Sequence, residues 1–172
     1  EDKLVQKNDE FAAFVTDDTF SVRLAVRPTE DGGQELLLAD GKGGFSPFQT
    51  IGSEDSLTTS PAGFDKGNTT LYMIDSRGRN TAALKAIDLA TKKERVLAED
   101  AKADAGAALV HPTEKTIQAV SFNYDRNSWK VLNGSVRGDL EYLKGVCPGD
   151  VTVDDRSLDD KTCLYVAQRI FA

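Results

Sequence analysis

His111 is the one histidine in the chain, and histidine is the side chain best matched to general-base work near neutral pH. Such a base needs a nucleophile, and a serine hydrolase presents one on a G-x-S-x-G elbow. No such elbow occurs. The nearest string, Gly44-Phe45-Ser46-Pro47-Phe48, lacks the second glycine and falls in a turn. His111 precedes Pro112 in another polar turn, and it reads as structural. No catalytic residue is therefore expected in this chain. Two loops carry arginines: Asp75-Ser76-Arg77-Gly78-Arg79-Asn80 and Asn123-Tyr124-Asp125-Arg126-Asn127. A guanidinium offers a planar fork of donors that matches a carboxylate. The plainer reading is a solvated hairpin, or Arg–Asp pairs that brace neighbouring units.

The acidic pairs Asp154-Asp155 and Asp159-Asp160 do not have the spacing of an EF-hand loop. The two cysteines form no CxxC pair, and one histidine does not complete a zinc set with them. No metal and no cofactor are expected. Cys147 and Cys163 are either two separate thiols or a disulfide. A bridge would close a loop of about 15 residues and contribute roughly 3 kcal/mol in the chain-entropy model. It would also imply an oxidising compartment, periplasmic or secreted.

These side chains are carried on 172 residues with a formal net charge of −7. Nucleic-acid binding rests on clustered Lys and Arg that release counterions, so an acidic chain without a basic run argues against it. The same balance argues against an anionic membrane surface. No apolar run approaches the roughly 18 residues of a membrane helix. The start, Glu1-Asp2-Lys3, is polar and has no signal-peptide pattern.

Short apolar runs between turn signals predict the positioning elements. Ser60 to Asp100 holds three, Leu71–Ile74, Ala82–Leu89 and Arg95–Ala98, separated by clusters of Gly, Asn, Asp and Lys. With Leu57–Phe64 as the innermost strand, they form a four-strand meander. Before it come Phe11–Val15, Phe20–Arg27, Gln34–Ala39 and Phe45–Ile51. In the second of these Phe20, Val22, Leu24 and Val26 alternate with polar or small residues, the period of a half-buried strand. After it come Ala107–His111, Thr116–Asn123 and Ser128–Leu132. No fourth strand is evident there. Ser135–Val146 instead has near-helical spacing, with Ser135 as N-cap and Pro148 as stop. Asp150–Val153 and Thr162–Arg169 begin a further unit.

The units repeat. Asp65-Lys66-Gly67-Asn68-Thr69-Thr70 aligns with His111-Pro112-Thr113-Glu114-Lys115-Thr116 and with Ser157-Leu158-Asp159-Asp160-Lys161-Thr162, at a spacing of 46 residues. Propeller blades repeat at about 40–50 residues. The expected fold is all-β: a partial β-propeller of three to four antiparallel meander blades in an open arc, with one short helix near 135–146. It is read as one domain over 1–172, with units at about 11–51, 57–100, 107–146 and 150–172. Its end strands would expose unpaired N–H and C=O groups, which favour self-association. Trp129 and Tyr124 are expected to pack between blades.

The run GFDKGNTTLYMIDSRGRNTAALKAIDLATKKERVLAED, the segment LVHPTEKTIQAVSFNYDRNSWKVL, the helix and the SLDDKT turn together resemble the N-terminal β-propeller of bacterial prolyl oligopeptidase family serine peptidases, in their acylaminoacyl-peptidase or dipeptidyl-peptidase-like branch. The resemblance covers nearly the whole chain. It implies seven or eight blades beside a C-terminal α/β-hydrolase domain that carries Ser, Asp and His. The propeller would admit short peptides to a cavity between the domains. This chain, with fewer blades and no elbow, is then a non-catalytic segment of such a propeller. Its partners would be peptides and the hydrolase domain, met by Arg77, Arg79, Asn123, Tyr124 or Arg126. The alternative is a stand-alone propeller-type module of the cell envelope that binds proteins or peptides.

Overall fold

The computed structural model describes residues 4, 6–8, 10–146 and 149–169. Four antiparallel sheets follow one another along the chain. The first comprises β1 (Ala13–Thr16), β2 (Val22–Pro28), β3 (Gln34–Ala39) and β4 (Phe45–Ile51). The second comprises β5 (Ser60–Phe64), β6 (Thr70–Asp75), β7 (Ala83–Asp88) and β8 (Glu94–Ala98). The third has β9 (Ala105–Val110), β10 (Ile117–Asn123) and β11 (Asn127–Val131), followed by the helix α1 (Arg137–Val146). The last has β12 (Gly149–Arg156) and β13 (Cys163–Arg169). Within each sheet every strand pairs with its neighbour in sequence, so among the described residues the fold is all-β, meandering and open, with no barrel closure.

Three apolar cores lie between successive sheets. Leu24, Leu36 and Phe48 of the first sheet meet Leu71, Met73 and Ile87 of the second. Tyr72, Leu84 and Ala86 of the second meet Ile117, Val120 and Phe122 of the third. Leu109 and Ala119 of the third meet Val136, Leu140 and Val151. Side chains alternate between the faces of a strand, so a sheet covered on both sides reads as continuously apolar. This explains β6: Leu71 and Met73 face one way, Tyr72 and Ile74 the other. The first sheet's far face carries Phe14 in line with Ala25 and Leu37, and Phe14 packs with Phe11 and Phe45.

The 46-residue repeat is a recurring turn between first and second strands. The N–H of Asp65, His111 and Ser157 donates to the carbonyl of Thr70, Thr116 and Thr162 at 3.0, 2.9 and 2.9 Å. The first sheet has a shorter version, Asp17 N–H to Ser21 at 3.0 Å. Each turn holds one residue at positive φ: Phe20, Asn68, Lys115 and Asp160.

Several boundaries differ from the sequence reading. Phe20 belongs to the turn, at φ 61° and 78% exposed, because the Asp17 carboxylate binds the N–H groups of Thr19 and Ser21 and delays the strand to Val22. Phe11 precedes β1, held by Asn8, and turns its ring onto Phe45 instead. Leu57 is 98% exposed. Residues 52–58 form consecutive tight turns, and β5 starts only at Ser60. Ser76 pins those turns: its hydroxyl donates to Asp55 at 2.6 Å and meets Thr58 at 2.7 Å. Ser135 is not the helix cap. Asn133 accepts from the Ser135 N–H at the start of a 3-10 turn, Gly134–Val136, that leads into α1. The Ser135 hydroxyl instead accepts from the buried Gln118 amide at 2.9 Å. Pro148 lies outside the described residues.

Candidate functional site

The β6–β7 loop begins at Asp75, the last residue of an apolar strand, which is 0% exposed. Arg77 grips it as a fork, Nε to Oδ1 at 2.9 Å and Nη2 to Oδ2 at 2.7 Å. Lys85 donates to the same Oδ2 at 2.9 Å and reaches Glu94 at 3.1 Å. Gln49 of the first sheet closes the group, accepting from Arg77 at 3.3 Å and donating to Glu94 at 2.9 Å. Burial alone would raise the Asp75 carboxyl. The bonds from Arg77 and Lys85 outweigh it and hold the group far below the usual carboxylate range. Sequence reasoning offered Arg–Asp bracing as the plainer reading of this loop but missed Gln49, Lys85 and Glu94. The one visible signal is Lys85, a lone charge among the apolar residues Ala83 to Ile87.

The other named residues do not converge on Arg77. Arg79 pairs with Glu99 and donates from Nε to the Thr81 carbonyl at 3.2 Å. Asn123 ends β10 opposite Asn127. Tyr124 does not pack between sheets as expected. It is 64% exposed, with the Lys102 ammonium 5.4 Å from its ring centroid, because it lies beyond the end of the strand that would have buried it. Arg126 is exposed on the β10–β11 loop. Among the described residues no hydrogen bond or ion pair joins the two arginine loops. Trp129 does pack between sheets, donating from its indole to the Val151 carbonyl at 2.7 Å.

A second convergence lies at the opposite ends of these strands, where the repeated turns meet. His111 takes the place of Asp17 and Asp65. Its Nδ1 accepts from the N–H groups of Thr113 and Glu114 at 3.3 and 3.1 Å, which leaves the proton on Nε2, 3.1 Å from Asp160 in the next turn. The ring is a turn cap, as the Pro112 context implied. We expect His111→Ala to cost about 1 kcal/mol in urea denaturation. His111→Asn, which restores an acceptor, should recover most of it. Lys66 meets Glu114 at 2.8 Å, and Lys115 meets Asp18 at 2.9 Å, joining the third unit's turn to the first's. Beneath that pair is a cavity of about 220 Å³ bordered by Thr16, Gly63, Asn68 and Tyr72.

The acidic pairs are already partnered: Asp154 accepts from Thr152 and Asp155 from the Arg156 N–H. Asp159 accepts from Ser157 and Lys161, and Asp160 pairs with His111 and Arg156. Among the described residues no group of three or more His, Cys, Asp and Glu is arranged to hold a metal ion. Cys163 is half-buried at the start of β13. Cys147 lies outside the described residues, and the Cys147–Cys163 bridge with it.

Neither arrangement contains a nucleophile beside a base. Over 160 residues the chain is 46% identical to dipeptidyl aminopeptidase BIII of Pseudoxanthomonas mexicana, taking in 92% of the chain and 23% of that protein. Over that stretch the chain is similar to a dipeptidyl peptidase. Over 172 residues it is also 29% identical to dipeptidyl peptidase family member 6 of Caenorhabditis elegans, across 94% of the chain and again 23% of that protein. The chain thus spans about a quarter of the length of the curated relatives it matches. No family model matches it, and no solved structure does. In this chain the arginines of the β6–β7 loop are braced: Arg77 holds its own sheet to Gln49, and Arg79 closes its own hairpin.

Proposed function

We propose that the chain is a stretch of β-propeller from a dipeptidyl peptidase of the prolyl oligopeptidase type, and that it walls and gates the chamber through which peptides reach a separate hydrolase domain. The carrying observation is the 46% identity to a dipeptidyl aminopeptidase along 92% of the chain. The serial meander sheets, two of them four-stranded, and their 46-residue turn repeat fit blades of one ring. The Lys115–Asp18 pair supports the gating part of this reading: it ties two turns across the small cavity at the strand ends.

Two measurements test this reading. The isolated chain should release no p-nitroaniline from Ala-Pro-p-nitroanilide; turnover blocked by a serine-directed reagent would overturn it. In the whole protein from which the chain comes, Lys115→Ala should raise kcat/KM severalfold for peptides of about 30 residues, leaving the dipeptidyl anilide unchanged, since only the longer chain is held back at a gate. Equal kcat/KM for both substrates before and after the change would sink the gating role.

A further inference from the structure

The third sheet stops at three strands, and its outer edge carries the molecule's most unusual surface. In the first two sheets β4 and β8 occupy the fourth place; in the third, β11 has no strand beyond it among the described residues. Alongside that edge a groove of about 470 Å³ opens between β11, α1 and the start of β12. Its floor is apolar, built from Trp129, Val131, Leu140 and Val151. The Trp129 indole is fixed there by its bond to Val151, so the floor is in place before anything binds.

Its rim is cationic. Arg126, Arg137 and Lys144 are all exposed on it, against a single lining carboxylate, Glu141. Arg137 reaches Glu141 only at 4.0 Å, and Arg126 has no hydrogen-bond or ion-pair partner among the described residues. Three positive groups around one groove stand out in a chain with net charge −7. On this edge the Asn127 N–H is held by Asp150, and the open part runs from Trp129 to Val131. An open strand edge takes an extended backbone, alternate side chains of which enter the floor, while the rim selects the charges that face it.

We propose that this groove is a docking site for an extended acidic segment of a partner protein, added to β11 as the missing fourth strand. Apolar residues of the segment would rest on Trp129 and Val131, and its carboxylates would meet Arg126, Arg137 and Lys144. The site lies apart from the turn-end cavity, so it is independent of peptide gating.

The probe is a fluorescein-labelled Glu-Val-Glu-Val-Glu-Val peptide, acetylated and amidated so that no terminus can mimic a peptidase substrate. Anisotropy should show saturable binding. Trp129 is the single tryptophan, so its emission should change with the same midpoint, read with unlabelled peptide. Arg126→Glu with Lys144→Glu should weaken binding roughly tenfold by removing two attractions and adding repulsion. Raising salt should weaken it too. A peptide N-methylated at alternate residues, which leaves the protein untouched, should bind poorly if the backbone pairs with the edge. Equal binding of Lys-Val-Lys-Val-Lys-Val, or binding that leaves Trp129 emission unchanged, overturns the proposal. So does a concentration-dependent dimer that the double variant abolishes, which would assign the groove to a second copy of this chain.

Discussion

Leu71→Ala and Leu84→Ala are each expected to destabilise the chain by about 3 kcal/mol, within the range for burying a cavity under a truncated leucine. Both side chains are fully buried, yet they lie on opposite faces of the second sheet. Leu71 fills the core shared with the first sheet and Leu84 the core shared with the third. Residues without common partners contribute nearly additively, so the double variant should lose close to the sum, within about 0.5 kcal/mol. Urea denaturation reads this as a lower midpoint at unchanged slope. If either single change cost less than about 0.5 kcal/mol, as exposed positions do, the second sheet would be covered on one face only.

Asp75→Ala should cost about as much, roughly 3 kcal/mol, for a different reason. It leaves Arg77 and Lys85 largely desolvated with Glu94 as their remaining counter-charge, and breaking a buried pair from one side is costly. The pH dependence follows from the direction of the shift. The folded-state pKa of Asp75 is depressed, so its contribution is complete above the unfolded value of about 3.9 and is lost as pH falls through the folded value. The gap in stability between the wild-type chain and Asp75→Asn should therefore be constant from pH 7 to about pH 5 and narrow below about pH 4. A gap that stayed constant down to pH 2, or that narrowed between pH 5 and 7, would mean that Asp75 is not the charged centre of the network.

Much of the fold was legible because turn chemistry is local. Asp65, His111 and Ser157 each begin a turn whose first N–H bonds a carbonyl five residues on, and that geometry repeats with the sequence. The bond uses the threonine backbone, so the recurrence of threonine side chains marked the repeat without causing it. Where hydrophobicity was read against local polar chemistry, the polar chemistry won. Leu57 sits in a Ser- and Asp-rich turn anchored by Ser76, and Phe20 sits in one closed by Asp17. The absent fourth strand of the third sheet was visible, but the cationic rim beside it was not. Arg126, Arg137 and Lys144 come together only when α1 folds back between β11 and β12. The Asp75 network was hidden for the same reason: its members at 49, 75, 77, 85 and 94 lie on four segments brought together by two sheets.

Amide hydrogen exchange at single-residue resolution tests the stacked arrangement most directly. Leu71–Ile74 and Leu84–Ile87 lie in central strands roofed on both sides. Their amides should exchange only through global unfolding, with one shared free energy, and well after the outward-facing amides of β11 at Trp129 and Val131. Central amides that exchanged as fast as those of β11 would contradict the account, because the second sheet would then have no neighbours covering it.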